Sequence, residues 1–150
     1  MHRTFLTLAA CAAFGLGAMA VARHGDPGQS GSRVKVLSQR DIAEKVDGKQ
    51  ARATTVEVTL EPGQASAPHR HPGPVFGYVL EGVYEWAIDD QPARTLRAGD
   101  TFYEPAGCLH RVSRNPAAKG KTRVLAVVLH PRGAKEIVLP AKASGKGKKE

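Results

Sequence analysis

Apolar and polar residues alternate over short stretches along most of the chain, a period that is typical of half-buried β-strands. Clusters of glycine, proline and acidic residues separate these stretches and favour turns. The predicted strands are 33–37, 54–60, 67–71, 75–80, 83–88, 93–97, 101–104, 109–113, 123–129 and 137–139. The stretch 123–129 is the most apolar, so we expect it to be central in a sheet. Many short strands at regular spacing predict an all-β fold, an antiparallel sandwich or barrel.

Two segments beside these strands carry local expectations. Residues 38–46 predict one short helical turn near the N-terminus of the domain, because Ser38 or Asp41 can cap it. His130 ends the apolar stretch and precedes Pro131, so we interpret it as a surface histidine at the end of a strand.

The first 22 residues have the organisation of a secretory signal peptide, with a basic start, an apolar run and small residues for cleavage near Ala20 or Ala22. The apolar run is too short to span a membrane. We therefore expect a periplasmic or secreted protein with no transmembrane segment after cleavage. Cys11 ends a stretch that resembles a lipoprotein box, but little apolar sequence precedes it, so cleavage is favoured over lipid attachment.

The remaining composition is that of one globular domain. A linker rich in glycine, serine and proline, 23–32, leads into a predicted barrel over 33–140. The formal net charge is +8, and part of it lies in the tail 141–150, where four lysines face one acidic residue. No aromatic residue or basic helical face accompanies these lysines, so a solvated, disordered tail is expected and specific nucleic-acid binding is not.

The candidate chemistry centres on three histidines. His69 and His71 are two residues apart, and such residues on a strand point to the same face. Two imidazoles on one face can bind one metal ion, and His110 from a neighbouring strand can complete the site. Neutral imidazole is a ligand for Zn, Fe, Ni, Cu and Mn, and three such ligands leave room for a substrate or water.

Two spacing patterns surround these histidines. The first is Gly63, five residues, His69, one residue, His71, three residues, Val75, six residues, Gly82. The second is Gly99, five residues, Pro105, one residue, Gly107, two residues, His110. In this order the two patterns resemble the two motifs of the cupin superfamily. The resemblance implies a single jelly-roll barrel in which His69, His71 and His110 bind one divalent metal ion (Fe, Zn, Mn or Ni).

One position departs from the pattern. Cupins usually carry a metal-binding glutamate where this chain has Val75. An ion on three neutral histidines would keep its full formal charge and favour anionic, bidentate oxygen ligands. Glu104 or Cys108 could replace the missing ligand, and Glu104 could instead act as a catalytic base. The simpler alternatives are a surface or supporting role for Glu104 and a packing role for Cys108, the one cysteine left after cleavage.

The resemblance leaves three functions open. The first is an exported, metal-binding cupin that accepts a small anionic or dicarbonyl ligand, to which Arg111 or Arg114 could contribute at the barrel mouth. The second is an enzyme, either a three-histidine iron dioxygenase or a zinc-dependent enzyme. The third is a non-catalytic binding or structural protein. A homodimer is a default expectation for the family.

Overall fold

The computed structural model describes residues 32–141, and within that range there are ten strands and no helix. The strands are β1 (Ser32–Val46), β2 (Lys49–Leu60), β3 (His69–Arg70), β4 (Val75–Glu81), β5 (Val83–Ile88), β6 (Arg94–Arg97), β7 (Thr101–Glu104), β8 (Leu109–Arg114), β9 (Thr122–Pro131) and β10 (Leu139–Pro140). The expected signal peptide 1–22, the linker before residue 32 and the tail beyond residue 141 lie outside the described residues.

Two antiparallel five-stranded sheets make up the fold, in the orders β1-β2-β9-β4-β7 and β10-β3-β8-β5-β6. This arrangement confirms the all-β antiparallel fold that the alternation and the turn signals predicted, and the jelly roll that the resemblance implied. Strand β9 lies in the middle of its sheet, with every second residue buried, as expected from its apolar sequence. The alternation of inward and outward side chains in each strand leaves one face of each sheet for the interior.

The expected helical turn over 38–46 is wrong, because these residues form the second half of the long strand β1. They pair with β2 up to the register Val46↔Lys49. The two residues between these strands, Asp47 and Gly48, have φ of 50° and 72°. A two-residue turn with positive φ at both positions matches the twist of an antiparallel hairpin, and Asp-Gly is a favoured sequence for it. That signal outweighs the weak capping signal.

Two clusters of buried apolar residues fill the interior between the sheets. The first contains Leu60, Val79, Tyr84, Trp86, Ile88, Leu96, Phe102 and Val124. The second contains the smaller residues Val56, Val75, Ala126 and Val128. Gly77 allows close packing in the first cluster, since a Cβ atom at this position would lie only 2.0 Å from the ring of its cross-strand partner Phe102. The smaller side chains of the second cluster border a cavity.

His130 is buried, with 2% of its surface exposed, so its interpretation as a surface residue is wrong. Strand β9 continues to Pro131, and its inward phase passes through Val128 to His130. The ring Nδ1–H donates to the carbonyl of Pro131 at 2.9 Å, and Nε2 accepts from the hydroxyl of Thr54 at 2.9 Å. Both ring nitrogens are therefore satisfied, and His130 has a structural role away from the other histidines.

Candidate metal centre

A cavity of about 420 Å³ lies between the two sheets. Its walls are mostly apolar, with valines from β1, β2, β4 and β9 and the ring of Phe102 from β7. Its polar lining consists of His69, His71, His110, Glu104, Tyr84 and three serines. The histidines come from the β3–β8 side, and Glu104 comes from the facing sheet. The cavity thus concentrates its ionisable groups in one region of an otherwise apolar interior.

The three predicted histidines meet in this cavity. His69 on β3 pairs directly with His110 on β8, and His71 follows immediately after β3. The ring centroid of His69 lies 4.9 Å from that of His71 and 4.9 Å from that of His110. One nitrogen from each residue lies within 4.8 Å of the other two, a cluster that could hold a metal ion. The sequence motifs therefore identified residues that the fold brings together.

Backbone carbonyls fix the orientation of two imidazoles. The Nδ1–H of His69 donates to the carbonyl of Ala67 at 2.8 Å, and the Nδ1–H of His71 donates to that of Ile137 at 2.6 Å. A proton on Nδ1 leaves the lone pair on Nε2, so Nε2 is the available ligand atom of both residues. Such a carbonyl contact to the second ring nitrogen is the usual support of a metal-binding histidine.

The interior keeps two of the imidazoles neutral, which is the form that binds metals. Burial lowers the pKa of His71 to about 4, and the neighbouring His69 contributes to the shift. Burial, followed by the proximity of His69 and His71, lowers the pKa of His110 to about 3. The same burial raises the pKa of Glu104 to about 7, although a hydrogen bond from Trp86 opposes the shift. Burial here disfavours the charged form of each group.

Glu104 lies inside the cavity and not on the surface. Only 1% of its surface is exposed, and it lies directly across from Val75 in the pairing of β4 with β7. Its Oε1 accepts a hydrogen bond from Trp86 Nε1 at 3.1 Å and lies 3.1 Å from His110 Nδ1. Its Oε2 lies 3.7 Å from His71 Nε2. The alternative of an exposed Glu104 is thus excluded, and Val75 itself offers the cavity only methyl groups.

Two buried polar atoms in this region have no hydrogen-bond partner among the described residues. They are His110 Nδ1 and Glu104 Oε2. The contact of His110 Nδ1 with Glu104 Oε1 is short, but its direction is not that of a hydrogen bond. Buried polar atoms are rarely left unpaired, and an ion is one of the accepted explanations. The donor set of neutral imidazoles with an adjacent carboxylate fits a divalent metal ion.

The other candidate residues do not reach the site. Cys108 is half-buried and packs against the first apolar cluster. Burial, and then Glu104, raise the pKa of its thiol to about 11, so it stays protonated at neutral pH. Arg111 donates hydrogen bonds to the carbonyls of Asp89 and Gln91, each at 2.8 Å, and thus stabilises the loop that contains these two residues. Arg114 forms an ion pair with a surface glutamate, Glu85.

Two aromatic residues of β5 also contact the site, although the sequence does not show which aromatic side chains face the cavity. The hydroxyl of Tyr84 lies 2.8 Å from Ser113 Oγ and 3.3 Å from His110 Nε2. Burial raises the pKa of this hydroxyl, so Tyr84 is neutral and can donate a hydrogen bond. Trp86, two residues on, bonds to Glu104. The period of two along β5 puts both residues on one face, but only the sheet packing shows that this face contacts the site.

Residues 32–141 contain no helix with the length and hydropathy needed to cross a membrane.

Comparison with known proteins agrees with this geometry. A family model described as a cupin domain matches residues 56–128. No curated protein matches the sequence.

Solved structures with TM-scores above 0.5 include the following three. A conserved protein with a double-stranded β-helix domain from Klebsiella pneumoniae is 20% identical over 78% of this chain and 90% of its own, with a TM-score of 0.55. A conserved protein of unknown function from Streptococcus pyogenes is 26% identical over 70% of this chain and 79% of its own, with a TM-score of 0.52. The DMSP lyase DddQ from Ruegeria pomeroyi is 20% identical over 77% and 54%, with a TM-score of 0.55.

The fold and the cavity define a small all-β barrel with a three-histidine cluster inside it. The family match identifies a cupin domain over residues 56–128.

Proposed function

We propose that this protein is an exported cupin in which His69, His71 and His110 bind one divalent metal ion and present it to a small ligand in the cavity. The observation that carries the proposal is the geometry of the cluster, with one nitrogen of each histidine within 4.8 Å of the others. The hydrogen bonds that fix Nδ1 of His69 and His71 support it, because they leave both Nε2 atoms free to bind.

The cavity lining indicates the class of ligand. No lysine or arginine of the described residues lines the cavity, and valine is the residue type that occurs most often in its lining. Any negative charge on a ligand must therefore lie next to the metal ion, because a charge elsewhere would be buried without a partner. This favours a small, largely apolar molecule whose oxygen atoms are grouped at one end, such as a dicarbonyl compound or a monocarboxylate.

The residues around the cluster also define what chemistry is possible. A bound ion would supply Lewis acidity toward the oxygen atoms of the ligand. Tyr84 can donate a hydrogen bond from its neutral hydroxyl to an oxygen atom of the ligand. Glu104 can serve either as a base near neutral pH or as a ligand of the ion, because a carboxylate bound to the ion stays ionised. The apolar walls exclude water from the remainder of the ligand. These features are compatible with an iron dioxygenase and with a zinc-dependent enzyme, and the identity of the metal separates the two.

Elemental analysis of the protein, purified without added metal or chelator, tests the proposal. We expect close to one equivalent of Fe, Zn, Mn or Ni. A sample with iron is then assayed for oxygen uptake with catechols, thiols and β-diketones, each of which carries its donor atoms at one end. Uptake would support the dioxygenase, and its absence with iron fully loaded would exclude that activity for these substrates. Protein that neither contains metal nor takes it up on reconstitution would refute the proposal.

Export is supported by the sequence of the first 22 residues alone. Mass spectrometry of the protein from periplasmic and culture fractions should give a mature chain that begins after Ala20 or Ala22. Recovery of the uncleaved chain from the cytoplasm would contradict export. The same sample serves for analytical ultracentrifugation, which checks the expected homodimer.

A further inference from the structure

We propose that Glu104 supplies the fourth protein ligand of the metal ion and so replaces, from strand β7, the carboxylate that is missing at Val75 on strand β4. This inference rests on the proposed metal binding by the three histidines. It assigns a ligand role to a residue outside the position at which the cupin pattern carries its glutamate.

The strand register carries the first part of the argument. Val75 and Glu104 are direct partners in the antiparallel pairing of β4 with β7. Direct partners point to the same face of a sheet, with Cβ atoms about 4.5–5.5 Å apart. A carboxylate moved from one position to the other therefore stays on the cavity face and moves sideways by about one strand spacing, a distance that a different rotamer of the flexible glutamate side chain can largely cover.

The environment of Glu104 carries the second part. The side chain is 1% exposed, and no lysine or arginine among the described residues forms an ion pair with it. A buried carboxylate without a cationic partner is costly unless it is protonated or binds a metal ion. Trp86 Nε1 donates to Oε1 at 3.1 Å and fixes the carboxyl group in the cavity, while Oε2 has no hydrogen-bond partner.

The contacts of Glu104 with the histidines carry the third part. Oε2 is 3.7 Å from His71 Nε2, the ring nitrogen that the carbonyl of Ile137 leaves free. Oε1 is 3.1 Å from His110 Nδ1, and that contact does not have hydrogen-bond geometry. Glu104 therefore does not serve as a simple acceptor that orients His110. The carboxylate and the two imidazoles direct free polar atoms into the same space, which is the arrangement expected of ligands to one ion.

Two variants test this assignment through Zn²⁺ affinity, measured by competition with a chromophoric chelator. Glu104→Gln keeps the shape of the side chain and an oxygen that can accept from Trp86, but it removes the negative charge. Val75→Glu/Glu104→Gln returns a carboxylate to the position across the strand pair. Glu57→Gln is the matched control, because Glu57 is a carboxylate on β2 that pairs with Arg123 outside the cavity.

We expect Glu104→Gln to bind Zn²⁺ at least about tenfold more weakly. Removal of a group that only supports a metal ligand already lowers metal affinity by about tenfold or more. The double variant should recover most of this loss, and the control should bind as the unchanged protein does. The absorption spectrum of the Co²⁺ form should change in Glu104→Gln and return toward the original in the double variant, since it reports the ligands directly. Thermal unfolding in chelator should show both variants folded.

Equal Zn²⁺ affinity in Glu104→Gln and the unchanged protein would overturn the assignment. A loss that the double variant fails to recover would also overturn it, because Glu104 would then act at its own position only, by orienting its neighbours. If the unchanged protein binds no Zn²⁺, Co²⁺ or other divalent ion, the proposed function itself fails, and that result is distinct from either outcome above.

Discussion

The stability of the protein should depend on metal, and loss of His69 should abolish that dependence. A ligand that binds only the native state stabilises it by RT ln(1 + [L]/Kd), about 2.7 kcal/mol at a free metal concentration of 100 Kd. The structure describes about 110 folded residues. A fold of that size has an unfolding entropy of about 0.23 kcal/mol/K near 60 °C, so the midpoint should rise by about 12 °C.

His69→Ala is the most informative removal, because His69 is less buried than His110 and its loss disturbs the metal-free fold less. If the variant binds metal about 100-fold more weakly, the stabilisation falls to about 0.4 kcal/mol, less than about 2 °C. His130→Ala is the control, since it removes a buried histidine with no contact to the cluster. His130→Ala should lower the free energy of unfolding by about 1–3 kcal/mol both with and without metal, because the Thr54 hydroxyl loses a hydrogen-bond partner.

Differential scanning fluorimetry of the unchanged protein and of both variants, each with metal and with excess chelator, gives the three comparisons. The reasoning is refuted if chelator leaves the midpoint of the unchanged protein where it was. It is equally refuted if His69→Ala keeps the full metal-dependent rise.

Two further predictions concern packing and pH. Gly77→Ala should lower the free energy of unfolding by about 1–3 kcal/mol in urea titrations, because its Cβ would lie 2.0 Å from the Phe102 ring. An additional Phe102→Leu change should then lower the free energy of unfolding by less than it does in the unchanged protein. Strict additivity of the two losses would argue against the contact. In chelator, stability should fall as the pH drops from 6.5 toward 4, because the pKa values of His71 (about 4) and His110 (about 3) lie below 6.5 and the unfolded chain binds the extra protons. Glu104, with its pKa raised from 4.5 to about 7, opposes this loss of stability between pH 7 and pH 4.5, so Glu104→Gln should make stability fall more steeply with decreasing pH. A urea midpoint that stays constant between pH 6.5 and pH 4 would contradict the assignment of neutral, buried histidines.

The alternation of residues located most of the strands well. The prediction for 83–88 and that for 101–104 coincide with β5 and β7, because each strand is short and lies between strong turn signals. The failure at 38–46 has a physical cause, since edge strand β1 is held by its hairpin to β2 and its own residues are mostly exposed. A strand with few buried positions has little alternation to detect.

The sequence predicted the three histidines of the site and left the role of Glu104 open. His69 and His71 share a face through local geometry, and His110 was found by the spacing of the second motif. Glu104 remained ambiguous because the sequence does not show which face of β7 is inward. The burial of His130 was missed for a related reason, since the inward phase of β9 extends one pair of residues beyond the apolar run.

The sequence by itself determined most of the strands, the resemblance to cupins and the three histidines that form the cluster. These depend on short-range periodicity and on residues a few positions apart. Only the tertiary structure decided that Glu104 faces those histidines from the opposite sheet and that Tyr84 and Trp86 contact the same region. The reason is that strand register and sheet packing bring together residues far apart in the chain. Position 75 on β4 therefore carries no carboxylate, but its cross-strand partner on β7, Glu104, does.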